Sequence, residues 1–364
     1  MSGKNTARMI GAYYQEAEPT SFFAGMFRAR PENFHNSEEV EIDIVRSDEE
    51  VSIVVQDLST GYRMNSEDLY TNKGFKPPIH KEAVVVNSHD LIKRMPGQNP
   101  FEDPAFRANL IMRVFNVMRK TERKIRRAME LQASQVMQTG KVTLTDASGT
   151  AVYELDYKPK ASHFPTVGTS WATAALAGKL GDVKSLCDVV RGDGLMKPDR
   201  IIFGDAAWEN LLQTDGFLDR FDARRANLGE INAMRNLGEG GIYHGVMEVG
   251  NYSLEVWTYD GRYKDPQTGN STQFMDSGKF IVQAANGRLD ASFGAIPNIG
   301  ALLGIGQRIL PELPSRMSGR SQGMDLSTNA WLSADNETIY AGVGSRPLMI
   351  PVAIDTFGCA DTQL

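Results

Sequence analysis

Cysteine is nearly absent. Two residues, Cys187 and Cys359, stand in a chain of 364, and neither belongs to a CxxC pair. That excludes a zinc ribbon or a dithiol redox motif and suits a reducing compartment, with both thiols read as small buried hydrophobes. Long apolar runs are missing as well: no stretch of about 18 such residues occurs, so no membrane-spanning helix is expected. The opening "MSGKNTARMIGAYYQEAE" has no signal-peptide apolar core, and the expected location is a cytoplasm, without membrane contact. The five histidines are scattered, none in HExxH or another metal-ligand spacing. "LAGKL" at 176–180 lacks the leading glycine and trailing Ser/Thr of a phosphate loop. "GALLGIG" at 300–306 lacks the dinucleotide pattern, and no GxSxG is present. These absences predict no catalytic residue, no cofactor and no metal. Positive charge is in deficit, 39 Lys and Arg against 45 Asp and Glu, for a net charge of −6. Such a surface repels nucleic acid and anionic lipid except where cations are gathered locally.

What is present is an ordinary globular balance, 41% hydrophobic and 23% charged, in an α+β pattern. Residues 1–37 are irregular and rich in aromatics, and "TSFFAGMFRARPENF" carries more apolar surface than a free tail needs. "VEIDIVR", "SDEE" and "VSIVVQD" predict a hairpin over 38–57. The polar stretch 58–80 reads as a long loop, after which "KEAVVV" resumes strand character. An arm of this kind is marginal alone and calls for a partner surface. "KVTLTDASGTAVYELDY" predicts another hairpin, and 159–180 a loop anchored by Trp171. From 181 helices and strands alternate: "DVKSLCDVVRG" and "AAWENLLQ" as helices, "PDRIIFG" as a buried strand, "ARRANLGEINAMRNLG" as a helix, then strands to about 285. Residues 311–330 read as loop and "RPLMIPVAIDTF" as one closing strand. "RGD" at 191–193 reads as the turn that ends a helix.

The longest element predicted is a helix over 104–139. Asp103 and Pro104 suit its start and Gly140 its end. Phe106, Leu110, Val114, Val117, Ile125 and Ala128 recur at helical spacing on one face. Eight cations fall between Arg107 and Arg127, mostly off that face. A DNA-reading helix would continue into leucine heptads or interleave aromatics; "MELQASQVMQTG" does neither. A structural strut whose basic flank, including Arg119, Arg123 and Arg127, meets acidic surfaces such as "SDEE" (47–50) of other copies is the better reading.

The ordered series "EEVEIDIV", "FKPPIHKEAVVV", "LIKRMPGQNPFEDPAFR", the long helix, "TGKVTL", "RIIFGDAAWENLL", "RRANLGEI", "VWTYDGRYKDPQTGN" and "SRPLMIPVAIDTF" resembles the major capsid proteins of lambda-like tailed phages. The resemblance implies the Hong Kong 97 phage shell fold. It divides the chain into an N-terminal arm (1–37), an extended loop (38–95), a peripheral domain with the spine helix (96–180), an axial domain (181–310) and a return to the peripheral domain (311–364). It implies an icosahedral shell of pentamers and hexamers, with a scaffolding protein, a portal protein, a possible decoration protein and double-stranded DNA packaged without sequence-specific binding. The rivals are an encapsulin-like compartment of the same fold and a basic-helix nucleic-acid-binding protein. Within the shell reading, Phe22, Phe23 and Phe27 are expected to anchor the arm in a neighbour's apolar groove. Lys73, Lys76 and Lys81 are expected to dock the loop by charge. No covalent crosslink is expected, since no partner asparagine or assisting glutamate is identifiable.

Overall fold

The computed structural model describes residues 21–35, 37, 40–44, 71–87, 106–145, 149–217, 240–296, 325–333 and 338–363. Strand β1 (Val40–Ile44) pairs antiparallel with β2 (Thr71–Phe75), Val40 opposite Phe75 and Ile44 opposite Thr71. The expected return strand at 51–57 lies outside the described residues. The described partner falls instead within the segment expected to be loop. "TNKGF" has little strand propensity, and its pairing is supplied by the neighbour strand rather than by its own composition. Strand β3 follows (His80–Asn87).

Helix α1 runs from Phe106 to Thr139. The proposed cap at 103–104 lies outside the described residues. Val114, Met118, Thr121, Ile125, Met129, Ala133 and Val136 are buried, a stripe at steps of three and four. Val117 and Ala128, expected on that face, are only half-buried. Beyond Met129 the helix is enclosed nearly all round, with Glu130, Gln132 and Ser134 at 0% exposure. Gly140 ends it at φ +65°, donating its N–H to the Val136 carbonyl at 2.8 Å, the left-handed stop that favours glycine. The hairpin β4 (Lys141–Thr145) and β5 (Ala151–Asp156) forms as expected. Gln135 of α1 ties it down, with both amide atoms bonded to the Thr143 backbone at 2.9 and 3.0 Å.

Helix α2 (Leu176–Gly194), strand β6 (Arg200–Phe203) and helix α3 (Asp205–Leu212) follow. Next come β7 (Gly241–Val249), β8 (Tyr252–Tyr259), β9 (Arg262–Lys264), β10 (Ser271–Gln273), β11 (Lys279–Gln283) and β12 (Asp290–Phe293). The last strands are β13 (Ser327–Leu332), β14 (Thr338–Ser345), β15 (Pro347–Ile350) and β16 (Phe357–Asp361). The expected helix at 223–238 lies outside the described residues. The single closing strand is in fact two strands. β15 pairs with β12, while β16, beyond Pro351, pairs with β11. Proline has no N–H to continue a ladder.

The central sheet has the order β16-β11-β6-β8-β7, and only β6 and β8 run parallel. Side chains alternate between its faces. Ile201, Phe203, Leu254, Val256, Phe280 and Val282 pack with α2 and α3 on one side. Ile202, Trp257, Tyr259, Ile281, Phe357 and Cys359 meet α1 and residues 22–27 on the other. The result is three layers around one sheet. A second sheet, β13-β14-β3, lies on α1 through Val86, Ala341 and Val343. The final strand, which the resemblance groups with 311–364 as peripheral, is therefore hydrogen-bonded into the sheet of the 181–310 region.

Candidate assembly surfaces

Phe22, Phe23 and Phe27 are 4%, 0% and 4% exposed within their own chain. The Phe22 ring stacks on Tyr259 at 4.9 Å, and Phe23 meets the same ring edge-on at 5.1 Å. This corrects the expectation that these rings reach into a neighbour's groove. The groove is the chain's own, between the central sheet and α1, and each buried ring contributes roughly 2 kcal/mol there. Glu130 fixes the segment. Its carboxylate accepts the Phe23 N–H at 2.9 Å, the Ala24 N–H at 2.8 Å and the Tyr259 hydroxyl at 2.8 Å. A fully buried carboxylate is tolerated only with such donors. Downstream, the segment runs beside β12. The Arg28 N–H donates to the Leu289 carbonyl, His35 N–H to the Phe293 carbonyl, and Phe34 stacks on Phe293 at 5.1 Å.

The cations of α1 divide by position. Lys124 bonds Glu82 of β3 at 2.8 Å, and Arg126 grips Asp325 with two bonds of 2.9 and 2.5 Å. These tie the helix to the second sheet. Arg119, Arg123 and Arg127, four residues apart, form a separate stripe along one side; Arg119 is exposed and the other two are half-buried.

Among the described strands, β3 has the longest run of exposed residues. Its residues from Lys81 to Val85 are exposed in succession, Val85 by 45% and Val84 by 38%. The pairing register aligns Val85, Tyr340 and Trp331 in one row across the outer face of the second sheet. Trp331 is 38% exposed and stacked on Tyr340 at 5.3 Å. Lys76 and Lys81 are exposed around the buried pair Pro77–Pro78. Lys73 lies in β2, with its side chain outside the described residues. The nominated residues thus make three separate groups: a buried aromatic clamp, lysines on β2, on β3 and between them, and an arginine stripe on α1.

Among the described residues, Lys179, Asp193, His163 and the two cysteines are engaged structurally. Lys179 of "LAGKL" donates to the Asn210 carbonyl at 2.8 Å and the Thr214 hydroxyl at 2.7 Å, satisfying the end of α3. Asp193 of "RGD" lies in the last turn of α2, bonded to Lys160 at 2.6 Å and to His163 at 3.1 Å. His163 uses its other ring nitrogen on the Phe357 carbonyl. Burial pushes both thiols, Cys187 and Cys359, up to about 12, which leaves them unreactive near neutrality. Among the described residues no group of His, Cys, Asp or Glu is arranged to hold a metal, and no helix is long and apolar enough to cross a membrane.

A three-layer body with a long strut, an N-terminal strap and an open edge strand is suited to contacting copies of itself. The family model described as phage major capsid protein E matches residues 5–358. The chain belongs to the phage major capsid protein E family. This capsid protein is 22% identical over 307 residues to the major capsid protein of Escherichia phage lambda, covering 83% of this chain and 86% of that one. Its fold is similar to the crystal structure of a prophage protein of E. coli CFT073 assigned as a capsid protein. The TM-score is 0.65 at 18% identity, over 94% and 93% of the two chains. The capsid of Myoviridae phage XM1 aligns over 98% and 97% of the chains at 10% identity and a TM-score of 0.45. The capsid protein has the Hong Kong 97 phage shell fold, is a virion shell component, and works as many copies.

Proposed function

We propose that this capsid protein forms pentamers and hexamers that close, with a separate scaffolding protein and a portal, into a prohead in the host cytoplasm. The prohead then expands as double-stranded DNA enters, and a decoration protein completes the outside. The parts follow the five-segment division of the sequence, with 38–95 as the segment that crosses a neighbour. The observation that carries this reading is β3: five successive exposed residues, two of them valines, on the edge strand of a sheet. Open edges with apolar side chains are an aggregation hazard unless a partner covers them. A neighbouring copy is the partner in a shell, and Lys73, Lys76 and Lys81 add charge steering to that contact. The stripe of Arg119, Arg123 and Arg127 supplies a second cationic contact. The role is structural, without catalysis and without covalent joining.

Negative-stain microscopy of the expressed full chain, with and without its scaffold, tests the reading. Closed icosahedral particles are expected, and soluble monomers under every condition would overturn it. Boiled, reduced particles should run as one monomer band; a ladder of higher species would show crosslinking. Particles that enclosed a folded protein cargo in place of DNA would point to a compartment.

A further inference from the structure

A cavity of about 610 Å3 opens where the N-terminal strap, the start of β6 and the turn between β11 and β12 meet. Arg28, Arg30, Arg200 and Arg288 line it, with Gln283 and Asn286, and among the described residues no acidic side chain stands in its wall. Arg30 and Arg288 share two carboxylates behind the wall. Arg30 Nε lies 3.6 Å from Asp290, and Arg288 lies 2.7 Å from Asp290 and 3.4 Å from Glu32. Arg28 is exposed and has no ion pair among the described residues. Arg200 sets its guanidinium 5.9 Å from the Trp257 ring centroid, likewise without a carboxylate. Four cations against two anions is a local excess in a chain whose net charge is −6.

Behind the wall Asp290 Oδ1, near Arg30, lacks a hydrogen-bond partner among the described residues, and two buried atoms of the lining residues do too. One is a donor, Arg200 Nε; the other is an acceptor, Gln283 Oε1, on a residue only 3% exposed. Buried polar atoms are almost always paired, so this wall offers an incoming group one donor and one acceptor besides its cations. A phosphodiester accepts only. A peptide with carboxylate side chains does both, and guanidinium forks match carboxylates in plane. The volume falls in the range that encloses a few side chains, roughly 300–1,000 Å3, and excludes a duplex.

We propose that this cavity receives an acidic segment of a second copy of the chain. The inference rests on the shell reading, in which every copy meets others. The densest acidic tract is 37–50, with seven carboxylates and one arginine; Val40–Ile44 within it is strand β1 of its own chain, so the part offered to another copy is "SDEE" (47–50), whose charge complements the cavity.

The test is a labelled peptide of residues 37–50 titrated with the full chain below its assembly concentration. Binding is expected, lost when the peptide's acids are replaced by amides and weakened at least about tenfold by Arg28→Glu, an exposed change that leaves the core intact. Equal binding of the amide peptide, or indifference to Arg28→Glu, would overturn the proposal. A short single-stranded oligonucleotide binding in the peptide's place with the same Arg28 dependence would do so too. To separate copies, Arg28→Glu chains are mixed with chains carrying Asp48→Lys, Glu49→Lys and Glu50→Lys. Neither should assemble alone and the mixture should. Assembly of one chain bearing both sets, but not of the mixture, would place the contact within a copy and defeat the inference. Normal peptide binding by a natural chain that never forms particles would leave the cavity's ligand in place and remove the shell reading instead.

Discussion

Glu130 is the residue on which the strap depends, and nothing in its sequence context marks it. It is one of two acids in α1 and sits just off the apolar stripe. Only the fold brings the Phe23 and Ala24 amides and the Tyr259 hydroxyl to its carboxylate. Glu130→Ala leaves three donors without that acceptor. At about 1–3 kcal/mol for each unsatisfied group, partly relieved by water, a loss of about 3 kcal/mol is expected. Urea unfolding of the unassembled chain measures it, and a change under about 1 kcal/mol would contradict the clamp. His80 provides a pH test. Burial lowers its pKa from 6.5, with Glu82 pulling weakly the other way, and its Nε2 lies 3.1 Å from the Gln132 amide. Below pH 6.5 the unfolded chain binds a proton that the folded chain resists, so stability falls as pH drops from 6.5 towards the lower folded value. The melting temperature should decline over that interval, and His80→Gln should flatten part of the slope. His35 and His244, also lowered by burial, act in the same direction.

At the scale of elements, α1 was the most legible. Its spacing repeats over 34 residues, long enough for one period to stand out. Its cations serve two purposes that charge alone does not separate. Lys124 and Arg126 bind the helix to β3 and to Asp325, while Arg119 lies open to solvent. β2 was illegible because "TNKGF" is polar and glycine-bearing; its partner β1, about 30 residues away, determines its state. The strap shows the same dependence. Gly241 opens β7, and a Cβ there would overlap the Phe22 ring. Gly241→Ala should therefore displace the strap while the central sheet survives. The expected readout is faster trypsin cleavage after Arg28 with near-native circular dichroism; unchanged cleavage would refute the close approach.

For the whole molecule, the expected consequence is assembly governed by charge as well as by area. Reversing the lysines near β3 (Lys73→Glu, Lys76→Glu, Lys81→Glu) should depress particle yield most at low salt, where charges act over ~30 Å. The defect should narrow near 1 M, where the screening length is ~3 Å. Light scattering across a salt series checks this, and a defect independent of salt would point to shape rather than charge.

The sequence by itself determined the class of molecule: α+β, built around one long helix and carrying the ordered segments of the capsid family. Those features are local or collinear, and so they survive in a string of letters. Tertiary structure decided which surfaces remain open. Three phenylalanines that read as anchors for a neighbour are consumed by the chain's own core, and the arginines gathered around the cavity come from positions 28, 30, 200 and 288. Burial and charge clustering are sums over residues distant in the chain, and only a folded backbone carries out that sum.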